Sequence, residues 1–95
     1  MAQFITRVEL HGVQHDDKVY QILHDAMEAN GFKRTIKSGN GKTYHMLTAE
    51  YEITGNYTAN SVLESAQKAT TKTGKKYSVF VSEIVMATWW NLEEV

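Results

Sequence analysis

The sequence predicts an α+β sandwich, in which one antiparallel sheet carries two helices on one face. Hydrophobic residues alternate near both ends of the chain, two stretches have helical periodicity, and glycine-rich turns separate these segments. The predicted order is strand, helix, strand, strand, helix, strand. Two strand–helix–strand units must cross over right-handedly, and the compact solution is the ferredoxin-like βαββαβ arrangement with the first and third strands in the centre.

The first half of the chain supplies a strand and the better-defined helix. Residues 4–11 alternate between two faces, and Gly12 ends this strand. Asp16 or Asp17 can cap the helix that follows, and Gly31 is suited to end it. The predicted apolar stripe of this helix consists of Val19, Ile22, Leu23, Ala26 and Met27.

The rest of the chain supplies three more strands and the second helix. Residues 32–37 and 43–54 are predicted strands joined by a Ser-Gly-Asn-Gly turn, with a bulge expected near Thr48 in the longer strand. Thr58 is a good N-cap for the second helix, and Gly74 stops it. A fourth strand begins near Tyr77.

The C-terminal tail remains after these elements are assigned. It runs from Val85 to Leu92, carries Trp89 and Trp90, and is apolar enough for an extra C-terminal strand. An aromatic pair near a terminus usually completes a core or an interface. The sequence therefore predicts a homodimer with both tryptophans at or near the contact, although the same rings could stack on bases.

Composition indicates one domain that spans residues 1–95. The net charge of −1 gives no global signal for nucleic acid, and the absence of cysteine excludes a disulfide framework or a thiolate zinc site. The chain has no long apolar run, so neither a signal peptide nor a membrane span is expected. A cytoplasmic, bacterial-type protein is the default expectation.

Positive charge is nonetheless concentrated in two segments. No acidic residue lies between Glu28 and Glu50 or between Glu64 and Glu83. The predicted topology brings the tips of both segments to the end of the first strand, where they could bind phosphate; a solvated lysine-rich rim is the alternative. The predicted RNA-binding residues are Arg34, Lys37, Lys42, Lys75 and Lys76.

Histidines supply the candidate catalytic groups. His11 and His15 lie at the end of the first strand, and histidine can move protons near neutral pH, as cleavage by a 2′-hydroxyl nucleophile requires. His24 is a third candidate and is expected to be exposed beside the apolar stripe. Asp16 and Asp17 could bind Mg²⁺ weakly, but helix capping explains them fully. No dedicated metal site and no other cofactor are predicted.

Eight segments carry a family resemblance: Thr6–Gly12, Leu23–Met27, Gly31–Ile36, Thr43–Leu47, Ala49–Tyr51, Val62–Leu63, Thr73–Lys75 and Thr88–Trp89. Together they resemble one family of small bacterial proteins, the GhoS-type antitoxins. The resemblance covers most of the chain, but such families commonly carry a proline where this chain has Thr48. It implies a ferredoxin-like fold and an endoribonuclease that cleaves the messenger RNA of a small membrane-lytic toxin. The implied fold is similar to that of CRISPR-associated ferredoxin-like nucleases, which work as dimers.

The resemblance transfers no catalytic signature residue by residue, so the candidate site depends on fold geometry and chemistry. Two functions from different classes remain open. The first is an RNA-cleaving enzyme that uses the histidines and lysines named above. The second is a non-catalytic dimeric module that binds protein or RNA through a sheet edge and the tryptophan tail. A small-molecule sensor is a weaker third.

Overall fold

The computed structural model describes all 95 residues, Met1–Val95. Two helices and antiparallel strands confirm the α+β class. The strands are β1 (Ala2–Leu10), β2 (Thr35–Lys37), β3 (Thr43–His45), β4 (Glu50–Gly55) and β5 (Tyr77–Ile84), and the helices are α1 (Val19–Ala29) and α2 (Ala59–Thr70), which a 3₁₀ turn (Thr71–Thr73) extends.

The main sheet has three strands in the order β4-β1-β5, and both pairings are antiparallel. β2 and β3 form a separate antiparallel hairpin. A single bridge from Lys33 to Glu52 holds the segment before β2 against the free side of β4. The arrangement is compatible with a ferredoxin-like sheet, but the second strand joins it through that bridge alone.

The long strand expected over residues 43–54 is wrong, because two strands occupy it. Between β3 and β4 the chain turns, and Glu50 N–H donates to the Leu47 carbonyl at 3.1 Å. Ala49 is buried with a φ of 58°, in the left-handed region that interrupts a β-strand. Its carbonyl accepts from the Val8 N–H at 3.1 Å, so the pairing with β1 begins at this reversal.

One hydrophobic core lies between the sheet and the two helices. The alternation of β1 places Phe4, Val8 and Leu10 on its core face, as the sequence indicates. The largest fully buried side chains of the core are Tyr51, Phe4, Phe32, Leu10, Leu23 and Met27. The two sides of α1 differ from prediction at Ile22, which is 49% exposed, and at His24, which is buried.

Side chains satisfy free backbone donors at both helix starts, although the N-cap residue of α1, Lys18, has no side-chain cap. Asp17 Oδ1 accepts from the Val19 N–H at 2.9 Å. At α2, Thr58 Oγ1 accepts from the Ser61 N–H at 3.1 Å while Ser61 Oγ accepts from the Thr58 N–H at 3.0 Å. These bonds satisfy donors that the first helical turn leaves free. Neither helix has the length and apolar character needed to cross a membrane.

The C-terminal tail does not add the expected strand over residues 85–92. It instead returns to β3, where His45 N–H donates to the Glu93 carbonyl and Val95 N–H to the Thr43 carbonyl, both at 2.9 Å. Trp89 packs beside Tyr44 with ring centroids 5.5 Å apart. The tail thus forms a second, smaller apolar cluster with the hairpin, lined by Ile5, Ile36, Met46, Trp89 and Leu92.

Candidate functional site

The end of β1 brings two of the three candidate histidines together. His11 and His15 line one cleft of about 340 Å³, which Glu9 and Tyr20 also line. Gly12, at a φ of 73°, lets the chain turn immediately after His11. Both imidazoles lie on exposed residues, so a substrate phosphate could reach them from solvent.

Neighbouring groups position these histidines. The His11 backbone N–H donates to the Lys76 carbonyl at 2.8 Å, and its Nε2 lies 2.8 Å from Ser78 Oγ. The His15 ring packs near Tyr20 at a centroid distance of 5.6 Å. Tyr20 is itself buried, and its hydroxyl accepts from the Leu10 N–H at 3.1 Å. A core tyrosine therefore fixes the end of β1, and the loop that follows it carries both histidines.

A second cleft, of about 560 Å³, continues from this one across the face of the sheet that is opposite the core. His15, Arg7 and Phe80 line it. Because Arg7 and Phe80 are directly opposite in the β1–β5 pairing, their side chains share that outer face. The Phe80 side chain is 68% exposed, which leaves a free aromatic surface next to a guanidinium.

Arg7 has the ion-pair partner that cross-strand pairing predicts. Its Nε lies 3.7 Å from Glu50 Oε2, and Glu50 is its neighbour on β4. The Arg7 side chain nevertheless remains 72% exposed. A single ion pair at 3.7 Å with an exposed guanidinium contributes little to stability, so the guanidinium can exchange the carboxylate for a phosphate at small cost.

The candidate phosphate ligands do not converge as the sequence predicts. Lys75 and Lys76 lie in the turn before β5, next to His11. Lys37 lines a cleft with Gln3 and the tail instead, and Gln3 lies about 23 Å along β1 from Leu10. Lys42 lies in the same hairpin, 3.9 Å from Glu94. The hairpin folds toward the start of β1 because the tail pairs with it, so the expected single edge is wrong.

Arg34 occupies a third location. It lines a cleft of about 760 Å³ beside the end of α1, together with Lys33, His45 and Glu28. Neither Arg34 nor Lys33 has a carboxylate within ion-pair distance. This cleft is larger than the one at His11, but it holds neither of the two paired histidines.

His24 is buried at 6% exposure, and the expectation that it is exposed is wrong. Its Nδ1 lies 2.7 Å from the Tyr51 hydroxyl. Burial, reinforced by the Arg34 guanidinium, lowers the pKa of His24 to about 4. Burial also raises the pKa of Tyr51. His24 is therefore a neutral core residue, and it cannot reach a substrate phosphate in this conformation.

The remaining candidates are the two aspartates before α1 and the two tryptophans of the tail. Asp16 and Asp17 are exposed, and Asp17 accepts a hydrogen bond from Val19 N–H, the first backbone donor of α1. No group of three or more histidine, aspartate or glutamate side chains is arranged to hold a metal ion. Trp89 is half-buried against Tyr44, whereas Trp90 is 87% exposed.

Sequence reasoning missed Phe80 and Ser78 as parts of the site. The signal that could have found them is the alternation of side chains along a strand: once Val79 and Val81 are assigned to the core side of β5, residues 78 and 80 must lie on the outer face.

Neither the known protein families nor the curated proteins include a match to this chain. The geometry of these residues therefore carries the functional proposal.

Proposed function

We propose that this protein is a small endoribonuclease that cleaves single-stranded RNA at the end of β1. The observation that carries the proposal is the pairing of His11 and His15 in one exposed cleft, continuous with the cleft that Arg7 and Phe80 line. Two imidazoles supply an acid and a base, a guanidinium supplies an anion-binding group, and an exposed ring supplies a stacking surface.

The chemistry that this arrangement supports is an internal transesterification. The ribose 2′-oxygen attacks the adjacent phosphorus, and the bond from phosphorus to the 5′-oxygen of the next nucleotide breaks. One histidine takes the proton from the 2′-hydroxyl, and the other gives a proton to the departing 5′-oxygen. Arg7, Lys75 and Lys76 would stabilise the negative charge on the phosphorane. The products are a 2′,3′-cyclic phosphate and a 5′-hydroxyl.

The resemblance to GhoS-type antitoxins supports a proposal about the biological role and the natural substrate as well. A ferredoxin-like endoribonuclease antitoxin in the cytoplasm, with the messenger RNA of a small toxin as its substrate, is consistent with the α+β fold and with the site at the end of β1. Lys37, Lys42 and Arg34 would then contact RNA outside the cleaved step, since they lie in other clefts or in the distant hairpin.

The test is cleavage of labelled RNA pools, with Mg²⁺ and with EDTA, by the protein and by a His11→Ala/His15→Ala variant. Removing both groups should slow cleavage by ~10²–10⁴. A substrate with a single 2′-deoxy nucleotide at the cleaved step should resist cleavage there. His45→Ala is the matched control, because His45 is an exposed histidine in a different cleft.

Wild-type rates in the double variant, with an unchanged circular dichroism spectrum, would rule out this site. A non-catalytic binding module is the second candidate function, and the exposed rings of Phe80 and Trp90 favour it. That function would replace the first if the unmodified protein bound RNA or protein but cleaved no RNA under either metal condition.

A further inference from the structure

β5 leaves one edge of the main sheet without a partner. It is the terminal strand in the order β4-β1-β5 and spans eight residues, Tyr77–Ile84. Long edge strands are usually protected by proline, lysine or a bulge, because their unpaired backbone groups attract other strands. β5 contains no proline and no lysine, and its register against β1 is continuous.

Alternate residues of β5 point their backbone N–H and C=O groups away from β1, along the free edge of the sheet. His11 N–H donates to Lys76 across the β1–β5 side, whereas Val8 N–H donates to Ala49 across the other side. Antiparallel pairing alternates these directions residue by residue. In β5 the even-numbered residues therefore bond to β1, and the N–H and C=O groups of Val79 and Val81 point outward. No group of this chain hydrogen-bonds them.

The sequence of β5 is a palindrome about its middle residue. Ser78-Val79-Phe80-Val81-Ser82 has the same order in both directions. In an antiparallel pair of two identical strands with Phe80 opposite Phe80, serine meets serine and valine meets valine. The one acid of the strand, Glu83, would lie opposite Tyr77 rather than opposite a second Glu83.

We propose that this edge binds a second copy of the chain, with β5 pairing antiparallel to β5 about a two-fold axis at Phe80. The outward groups of Val79 in one copy would bond to those of Val81 in the other, and the same bonds would repeat by symmetry. Two Phe80 rings, each 68% exposed in one copy, would lie side by side on the outer face and form one aromatic surface next to the Arg7 residues of both copies.

This geometry differs from the tryptophan contact that the sequence predicts. The axis is perpendicular to the sheet, because only that orientation pairs a residue with itself and keeps each face on its own side. The proposed RNA sites of the two copies would lie on the same face of a six-stranded sheet. This placement of two RNA sites rests on the proposed function, but the association of the two chains does not.

Single cysteines in this cysteine-free chain test the register. In the proposed pairing, position 80 of one copy lies opposite position 80 of the other in a non-hydrogen-bonded pair. Their Cα atoms would be about 4.5 Å apart, which is within disulfide range. Phe80→Cys should therefore cross-link under mild oxidation. Ser82→Cys is the matched control on the same face, because its two copies would be about 14 Å apart along the strand. Trp90→Cys tests the tail.

Sedimentation without RNA provides the second measurement. The unmodified chain should be dimeric, and Phe80→Lys should convert it to a folded monomer, because two like charges would lie directly opposite each other. A chain that is monomeric at about 100 μM would overturn the proposal. So would cross-linking of Trp90→Cys or Ser82→Cys in preference to Phe80→Cys, or a dimer that tolerates Phe80→Lys.

Discussion

At the scale of single residues, His24 shows how a polar side chain becomes part of a core. Its bond to the Tyr51 hydroxyl satisfies one ring nitrogen, and the neutral imidazole needs little further solvation. Helical periodicity contains no direct sign of this burial, since His24 lies one position after Leu23 at the border of the apolar stripe. Burial here depends on Tyr51, which is distant in sequence and arrives with β4.

This burial makes stability depend on pH. With a pKa near 6.5 when unfolded and about 4 when folded, His24 has almost no effect above about pH 7.5, where both states are neutral. Below pH 6.5 the unfolded chain binds the proton more tightly, so the free energy of unfolding falls, by about 2 kcal/mol at pH 5 and about 3 kcal/mol at pH 4.

Urea denaturation from pH 7 to pH 4 measures that loss. Carboxylates also titrate in this range, so the informative quantity is the difference between the unmodified chain and His24→Gln. The variant should be less stable at pH 7 and should lose less stability on acidification. Parallel pH curves for the two proteins would show that His24 is not the group responsible.

At the scale of elements, the end of α1 before Gly31 was predicted correctly, whereas its start lies one or two residues later than an Asp16 or Asp17 cap implies and one face was slightly misassigned. The apolar stripe identified Leu23, Ala26 and Met27, which are buried, because helical spacing alone places them on one side. It also included Ile22, which is 49% exposed. Which side of the stripe is covered depends on the crossing with the sheet, and periodicity does not contain that information.

The α1 register makes a paired prediction. Leu23→Ala should lower the free energy of unfolding by ~2–5 kcal/mol, because it opens a cavity at a fully buried position. Ile22→Ala removes a similar side chain one position away and should cost less than about 1 kcal/mol, since alanine is a good helix former and the site is half open. Equal losses in chemical denaturation would contradict this orientation of the helix.

At the scale of the whole molecule, long-range pairing decides what local patterns could not. The sequence predicted the alternation of β1 and the separate helices, and it correctly placed His11 beside the turn of Lys75 and Lys76. It misplaced the hairpin with Lys37 and Lys42, because the return of the tail to β3 has no local signature. The candidate site is therefore smaller than expected and includes residues of the outer sheet face.

The tail gives the corresponding prediction. Deleting residues 86–95 would remove both backbone bonds to β3 and the Trp89 contact with Tyr44. The β2–β3 hairpin has three-residue strands and should then lose its hydrogen-exchange protection, because a short isolated hairpin is marginally stable. The amides of β1 and α2 should stay protected. Loss of protection across the whole chain would show that the two clusters unfold as one unit.

The central position of β1 also constrains the order of events during synthesis. Its two partners are β4 and β5, and Gln3 pairs with Ile84 near the opposite end of the chain. The first strand to leave the ribosome therefore waits for the last one before its ladder is complete. Pairing over such long separations closes large loops at an entropic cost and slows folding relative to helical proteins of the same size. During that interval the apolar face of β1 is accessible to chaperones and to other nascent chains.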